Sequence, residues 1–378
     1  MDTNVCIVDY FEDLEDPRIF TLNKRHQLLD IVTISTLSVL CGAEGWADIY
    51  NWSQAHEAWL STFLKLPNGL PSEDCIRRVI SRIKPDQFQT CFLNWTAAIC
   101  EATGGQIIAI DGKTLRHSFD KRTGKKALHL VSAWAVENRL LLGQEAVDQK
   151  SNEITAIPKL LEILELSGAI VTIDAMGCQK EIARQIHEGG GDFVIGLKGN
   201  QPHLHEAAKE EFSKHMENDF EEVECRQHHT SESGHGRIEE RDYYQMKLPL
   251  DFPGQNEWAG MKTIGMVINN TECNGSFSDD VRYYISSLPL GVKRFAECVR
   301  GHWGIENGLH WTLDVTFDED QSRISKDHGA ENFGLLRRIA LSVLKNHTGD
   351  KKSVRQRRLR SGWDLDYLLE ILGKSNAS

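Results

Sequence analysis

The chain has 378 residues, with 43 lysines and arginines against 55 aspartates and glutamates, for a formal net charge of −12. With 40% hydrophobic and 26% charged residues it has the composition of a soluble globular protein of two or three domains, which excludes collagen, wholesale disorder and a basic nucleic-acid coat. Nine cysteines, an odd number with no Cys-x-x-Cys spacing, point to a reducing compartment.

Residues 1–20 carry six acids and one arginine without an apolar core, the opposite of a targeting peptide, so a cytoplasmic protein is expected. The most apolar run, 31–43, has 13 residues and four hydroxyl side chains. A bilayer span needs roughly 20 apolar residues, so this run is expected to be a buried helix and no membrane partner is expected.

Residues 1 to about 100 have helical spacing, as in Leu28-Leu29-Ile31-Val32-Ile34-Leu37-Leu40, and again from Phe88 through Phe92, Trp95 and Ile99. A helix is expected to start at Pro71-Ser72-Glu73-Asp74 and to carry Arg77, Arg78 and Arg82 beside an apolar face. DNA contact is one reading of those arginines. Residues 1–104 hold 8 basic and 14 acidic residues, which favours a solvated face. At Thr103-Gly104-Gly105 the texture changes.

Gln106 to Ile110 is strand-like and runs into Asp111, and the runs 128–136 and 139–147 form a hairpin around Glu137-Asn138. A helix over 157–166, a strand over 169–173 ending at Asp174, a helix over 179–187 and a strand over 193–197 follow. That order predicts a mixed sheet with helices packed on it. Residues 206–224 are acidic and suggest a solvated helix face, and about 220–290 is expected to be a β-rich insertion. Helical pattern returns at Val292, continues past Trp311, and resumes over 332–344. Residues 336–360 hold nine basic residues against Asp350 alone, the one strongly basic segment and therefore the expected place for backbone contacts to DNA.

Two aspartates stand at the ends of apolar β runs, Asp111 in Ile107-Ile108-Ala109-Ile110-Asp111-Gly112-Lys113 and Asp174 in Ile170-Val171-Thr172-Ile173-Asp174-Ala175-Met176-Gly177. Strand-end carboxylates followed by small residues are a way to present hard oxygen ligands to Mg²⁺. If the two strands are neighbours, a third acid completes a site for two metals and in-line phosphoryl transfer. Glu306, set among aromatic and small residues in Arg300 to Trp311, is one candidate; Asp314, Asp318, Glu319 and Asp320 compete with it. Gly112-Lys113-Thr114 mimics the end of a P-loop, but the first glycine that motif requires is Ile107 here. Cys225, His228, His229 and His235 match no common zinc spacing. Tyr243, Tyr244, Trp258, Tyr283 and Tyr284 are read as core or edge residues of a small sheet, with base stacking as the functional alternative.

Asp111-Gly112-Lys113-Thr114, Asp174-Ala175-Met176-Gly177-Cys178-Gln179, Leu197-Lys198-Gly199-Asn200-Gln201 and the stretch from His302-Trp303 through Glu306-Asn307, His310-Trp311 and Asp314 to Phe317 occur in this order. Together they resemble the transposases of bacterial insertion sequences, and more closely the H-repeat-associated proteins found with Rhs elements. Asp16-Pro17-Arg18 and Leu40 to Trp46 extend the resemblance over nearly the whole chain. It implies an α/β fold: an RNase H-like mixed-sheet catalytic core over 104–345 with the β-rich insertion, a helical N-terminal domain over 1–103 and a basic segment over 346–378. It also implies a DDE triad on Asp111, Asp174 and Glu306, two Mg²⁺ ions with Mn²⁺ as a substitute, and double-stranded DNA, both element ends and target, as partner. A homodimer in a synaptic complex and association with the nucleoid when bound to DNA complete the expectation. The related Tyr, Arg, Glu, Lys signature places arginine four residues before the glutamate and lysine seven after; His302 and Leu313 stand there instead. DNA contacts are therefore expected from Lys113, Lys198, Arg300, His302, Trp303 and His310, and from Arg337, Arg338, Arg355, Arg357 and Arg358 in the basic segment. The rival readings are a metal-dependent nuclease without strand transfer and a domesticated DNA-binding protein.

Overall fold

A computed structural model describes residues 7–19, 24–99, 106–119, 124, 126–147, 152–234, 237–273, 275–347 and 349–372. The boundary expected at Thr103-Gly104-Gly105, and His235, lie outside the described residues.

Among the described residues five α-helices precede the sheet: α1 (Leu28–Leu40), α2 (Trp46–Ala55), α3 (Glu57–Leu60), α4 (Glu73–Ile80) and α5 (Pro85–Ile99). The hydroxyl-bearing apolar run is α1, buried on nearly every side. Its Ser35, Thr36 and Ser38 hydroxyls donate to the carbonyls of Ile31, Val32 and Ile34 at 2.7, 2.9 and 2.7 Å, which lets them sit inside without orphaned polar atoms. Helix α4 starts where expected, and Ser72 caps it by accepting from the Cys75 amide. Arg77 and Arg78 both pair with Asp74 on that helix, as a solvated face would have it.

Nine strands form one sheet among the described residues: β1 (Ile107–Leu115), β2 (Leu128–Ala135), β3 (Leu140–Ala146), β4 (Ile170–Ile173), β5 (Asp192–Leu197), β6 (Cys225–Gly234), β7 (Arg237–Lys247), β8 (Thr263–Cys273) and β9 (Ser276–Ser286). Their order is β3-β2-β1-β4-β5-β9-β8-β7-β6. The first three are an antiparallel meander, and β4 and β5 add in parallel beside β1. The crossovers run through α6 (Glu153–Glu162) and α7 (Lys180–Glu188). Every residue of β4 is buried, Val171 and Ile173 in the core with α6 and α7 and Ile170 in a second core with Phe295 and Val299. A three-strand meander followed by two parallel strands is the RNase H-like arrangement.

The expected helix over 157–166 begins earlier, because Pro158 lies inside α6 rather than in its first turn. The β-rich insertion is not a separate small sheet. β9 pairs antiparallel with β5, so the insertion extends the central sheet and covers an edge that β5 would otherwise expose. The acidic stretch begins with α8 (Pro202–Met216), which buries Leu204, Ala207, Ala208 and Phe212 and is thus half core. Trp258 is 3% exposed, inside the core that α6 and α7 form on the sheet, and is not available to stack on a base.

After the insertion, α9 (Val292–Ile305) leads through a π-helical turn, Glu306–His310, into α10 (Trp311–Phe317). Three helices follow: α11 (Gly329–Asn346), α12 (Val354–Trp363) and α13 (Leu365–Ile371). Residues of α1, α10, α11 and α13 share one hydrophobic core on the face of the sheet opposite α6 and α7. The basic segment is therefore folded into the helical body rather than trailing from it.

Candidate active site

Asp111 lies within β1, which the hairpin partner β2 carries on to Leu115, rather than at the strand's end. The β1–β4 pairing, however, stops at Ile110↔Ile173, so Asp111 and Asp174 are the next residues on two parallel neighbours, at the edge where their pairing opens. A crevice beyond the carboxyl ends of parallel strands is where α/β sheets bind ligands. The Gly112 amide donates to Asp111 Oδ1 at 2.8 Å, and the Met176 and Gly177 amides donate to Asp174 Oδ1 at 3.0 and 3.3 Å. The Asp174 loop and the Leu197 to Gln201 motif, separate in sequence, are tied together. Asn200 Nδ2 donates to the Ala175 carbonyl at 2.6 Å, and Gln201 Nε2 to that of Cys178 at 2.9 Å.

Glu306 opens the π-helical turn and faces solvent. It lines a cavity of about 230 Å³ that also takes in Asp174, Lys198, His302 and Trp303. Helix α9 approaches the sheet closely where it shows glycine to it: a Cβ on Gly301 would lie 3.3 Å from Val136. Lys345 Nζ, from α11, donates to the Gly308 carbonyl inside the turn. A π-turn leaves a helix's hydrogen-bond ladder locally irregular and is frequent at functional sites.

The acids that compete with Glu306 are engaged elsewhere. Lys113 is buried and pairs with Asp314, with Glu319 at 3.8 Å and Asp320 at 3.9 Å alongside. Glu319 also pairs with Arg338 at 2.7 Å, and Asp320 with Arg116 at 3.1 Å. Asp318, in the left-handed conformation at φ 48°, ends α10. Electrostatics groups Glu306 with the aspartates instead. Burial pushes the Asp111 carboxyl up to about 7 despite the Gly112 hydrogen bond, and the charges of Asp174, Glu153 and Glu306 add to the rise.

Two histidines adjoin the acids. His310 Nδ1 lies 3.5 Å from Asp111 Oδ2, and burial together with nearby Arg338 and Lys113 holds the ring down to about 3. It is neutral at physiological pH, so the contact is not a salt bridge. His302 meets Thr172 Oγ1 at 3.2 Å, and burial lowers it against the pull of Asp174.

Sequence reasoning missed Glu153, at the start of α6. Its Oε1 accepts from His129 Nε2 at 2.7 Å, and Thr114 Oγ1 meets His129 Nδ1 at 2.7 Å. A Cβ on Gly112 would lie 2.1 Å from Glu153 Oε1, so the glycine of the Asp111-Gly112 pair makes room for this carboxylate. Its sequence signal was faint: a glutamate beginning an amphipathic helix looks like an ordinary first-turn acid.

The expected DNA contacts divide. Lys198 is exposed at the end of β5. Arg300 pairs with Glu232 at 2.8 Å, and Trp303 lies under the Arg282 guanidinium at 4.4 Å, both beside the cavity. Arg355 is exposed. Lys113, Arg337, Arg338, Arg357 and Arg358 do not present a charge to DNA. Arg337 is 2% exposed, lies over Phe333 at 4.5 Å, and burial lowers it to about 10. Arg357 pairs with Asp350 and donates to the Leu344 carbonyl at 2.7 Å. Arg358 donates to the carbonyls of Val39 and Ala43 at 3.3 and 3.2 Å, and Arg337 to that of Glu44 at 3.4 Å. The arginines are internal because a five-donor fork satisfies the orphaned carbonyls past the end of α1, a use that a charge count does not reveal.

Of the zinc candidates, His229 pairs with Asp242 at 2.7 Å and burial pushes the Cys225 thiol up to about 11. Among the described residues no three His, Cys, Asp or Glu side chains close into a ready coordination shell. The donor chemistry of Asp111, Asp174 and Glu306 still fits a hard divalent cation: Asp111 and Asp174 follow paired residues of neighbouring strands, Glu306 lines one cavity with Asp174, and the charges of both reach Asp111.

Comparison with known proteins identifies the family. The family model of the transposase DDE domain matches residues 102–343, and that of its associated domain matches residues 8–96. The H repeat-associated protein YhhI of Escherichia coli K12, which bears a transposase name, is 39% identical over 95% of this chain and 95% of its own length. The transposase-named YncI of Escherichia coli O157:H7 is 38% identical over 97% and 94%. A piggyBac transposase synaptic complex with hairpin DNA, solved by cryo-EM, overlays with a TM-score of 0.47 at 12% identity, over 100% of this chain and 82% of that one. The chain belongs to the transposase DDE family and carries that family's associated domain ahead of its catalytic fold.

Proposed function

We propose that this transposase cuts DNA at the ends of its insertion element and joins the freed 3′-hydroxyl to a target phosphodiester, with Asp111, Asp174 and Glu306 as the catalytic acids. The reading is supported by two aspartates that follow paired residues of neighbouring parallel strands and by a π-turn glutamate that lines one cavity with Asp174, while every rival acid but the helix-ending Asp318 is paired with a cation.

Asp111 and Asp174 are held by backbone amides, and Glu306 by a helix that approaches the sheet at Gly301. These carboxylates would bind two Mg²⁺ ions, or Mn²⁺ in their place, which supply Lewis acidity to the attacking oxygen and neutralise charge on the phosphate. Neutral His302 and His310 wall the acids without competing for them as cations. Lys198 and Arg300, beside the cavities that Glu306 lines, draw the phosphate backbone toward the acids. Joining two ends calls for two copies, so the working form is a homodimer on double-stranded DNA.

Purified protein incubated with labelled duplexes carrying its own flanking repeats tests the reading. Joined products are expected in Mg²⁺ or Mn²⁺ and none in EDTA. Cleavage without joined products would favour the nuclease reading instead.

A further inference from the structure

The Asp111-Gly112 pair holds more than one carboxylate. β1 runs on to Leu115, but its pairing with β4 stops at Ile110↔Ile173, which leaves the β4 side of β1 open from Asp111 onward. Successive residues of a strand face opposite sides of a sheet, so Asp111 looks toward α9 and Gly112 toward α6. At an open edge, groups from both sides reach the same ligand. Glu153 fills the place of the side chain that Gly112 lacks. Its Oε1 is fixed by His129, which Thr114 holds from the same strand as Gly112, while Oε2 accepts no hydrogen bond among the described residues. Across the sheet, His310 has Nδ1 3.5 Å from Asp111 and a buried Nε2 that finds no hydrogen-bond partner among the described residues. A carboxylate only 14% exposed, with one oxygen fixed by a histidine and the other without a hydrogen bond among the described residues, is a ligand oriented by its neighbours.

We propose that Glu153 is a fourth carboxylate of the cation site, presented through Gly112 and oriented by the Thr114–His129 pair. The proposal rests on the reading of Asp111, Asp174 and Glu306 as cation ligands and adds a residue outside that triad. The influence of Glu153 on Asp111, ahead of that of Glu306, is in keeping with this placement.

The test is Mn²⁺ binding to the full chain, followed by electron paramagnetic resonance, in wild type, Glu153→Gln, His129→Asn and Asp111→Asn. The carboxamide of Glu153→Gln keeps an acceptor for His129 and removes only the charge. It is expected to weaken Mn²⁺ binding about tenfold or more, and to raise the Mg²⁺ concentration for half-maximal cleavage in proportion. His129→Asn, which frees the carboxylate but keeps its charge, is expected to weaken binding less. Wild-type affinity in Glu153→Gln alongside lost binding in Asp111→Asn would overturn the proposal and leave the triad standing. No difference among all four proteins would overturn the cation site itself. Should Glu153→Gln fail to fold, His129→Asn decides, since unchanged affinity there would count against an oriented Glu153.

Discussion

Gly112 is the residue where one added carbon has the clearest consequence. Gly112→Ala sets a Cβ within 2.1 Å of the Glu153 carboxylate, and the surrounding chain must shift at a cost of about 1–3 kcal/mol. A lower midpoint in chemical denaturation, together with slower cleavage, is the expected result; wild-type values for both would mean the contact relaxes freely. Glu306→Gln should reduce cleavage to background at unchanged affinity for end DNA, measured by fluorescence anisotropy, since Glu306 faces solvent and supports no core packing. The sequence made Asp111 and Asp174 visible because an apolar β run that ends on a carboxylate is a local signal. Glu153 and the pairing of Lys113 with Asp314 were invisible, because both depend on which helices lie over β1.

At the scale of elements, periodicity marked the alternation of strands and helices over 106–197, whereas the parallel pairing of β1, β4 and β5 and the π-turn did not follow from it. Its hydrogen bonding reflects Lys345, reaching from α11 to the Gly308 carbonyl and lying 4.9 Å above the Trp134 ring. Burial holds Lys345 down to about 8 from an ordinary 10.5. A lysine depressed in the folded state releases its proton before the unfolded chain does, so its contribution to stability grows as pH rises from 8 to 10.5. The stability of wild type minus that of Lys345→Met, followed by urea titration, should therefore increase across that window. A flat or falling difference would place the ammonium in water. That β9 joins β5 and makes the insertion part of the main sheet was likewise beyond local patterning, since it depends on which edge remains open.

Across the whole molecule, the charge map is where composition misled most. The basic stretch 336–360 invites a DNA-binding reading, yet Arg337, Arg338, Arg357 and Arg358 bind the protein's own carbonyls and carboxylates. Arg338→Met leaves the buried Glu319 with Lys113 alone, 3.8 Å away, and is expected to cost up to about 3–5 kcal/mol, read as a lowered thermal midpoint. Arg355→Ala should leave the thermal midpoint in place and lower the slope of log affinity against log salt by about 0.9, the signature of one phosphate contact. If Arg338→Met melts like wild type, or the Arg355→Ala slope is unchanged, the division between internal and DNA-facing arginines is wrong. On the proposed function, a chain with a formal net charge of −12 must attract DNA locally, and Lys198, Arg300 and Arg355 are the proposed sources.

The central claim is that the two strand-edge aspartates and the π-turn glutamate form one catalytic centre. It is tested most directly by single-turnover cleavage of an element-end duplex in Mg²⁺, with wild type and Asp174→Asn each at saturating protein. The account predicts cleavage by wild type and only background nicking by Asp174→Asn at equal DNA occupancy; equal rates for the two would contradict it.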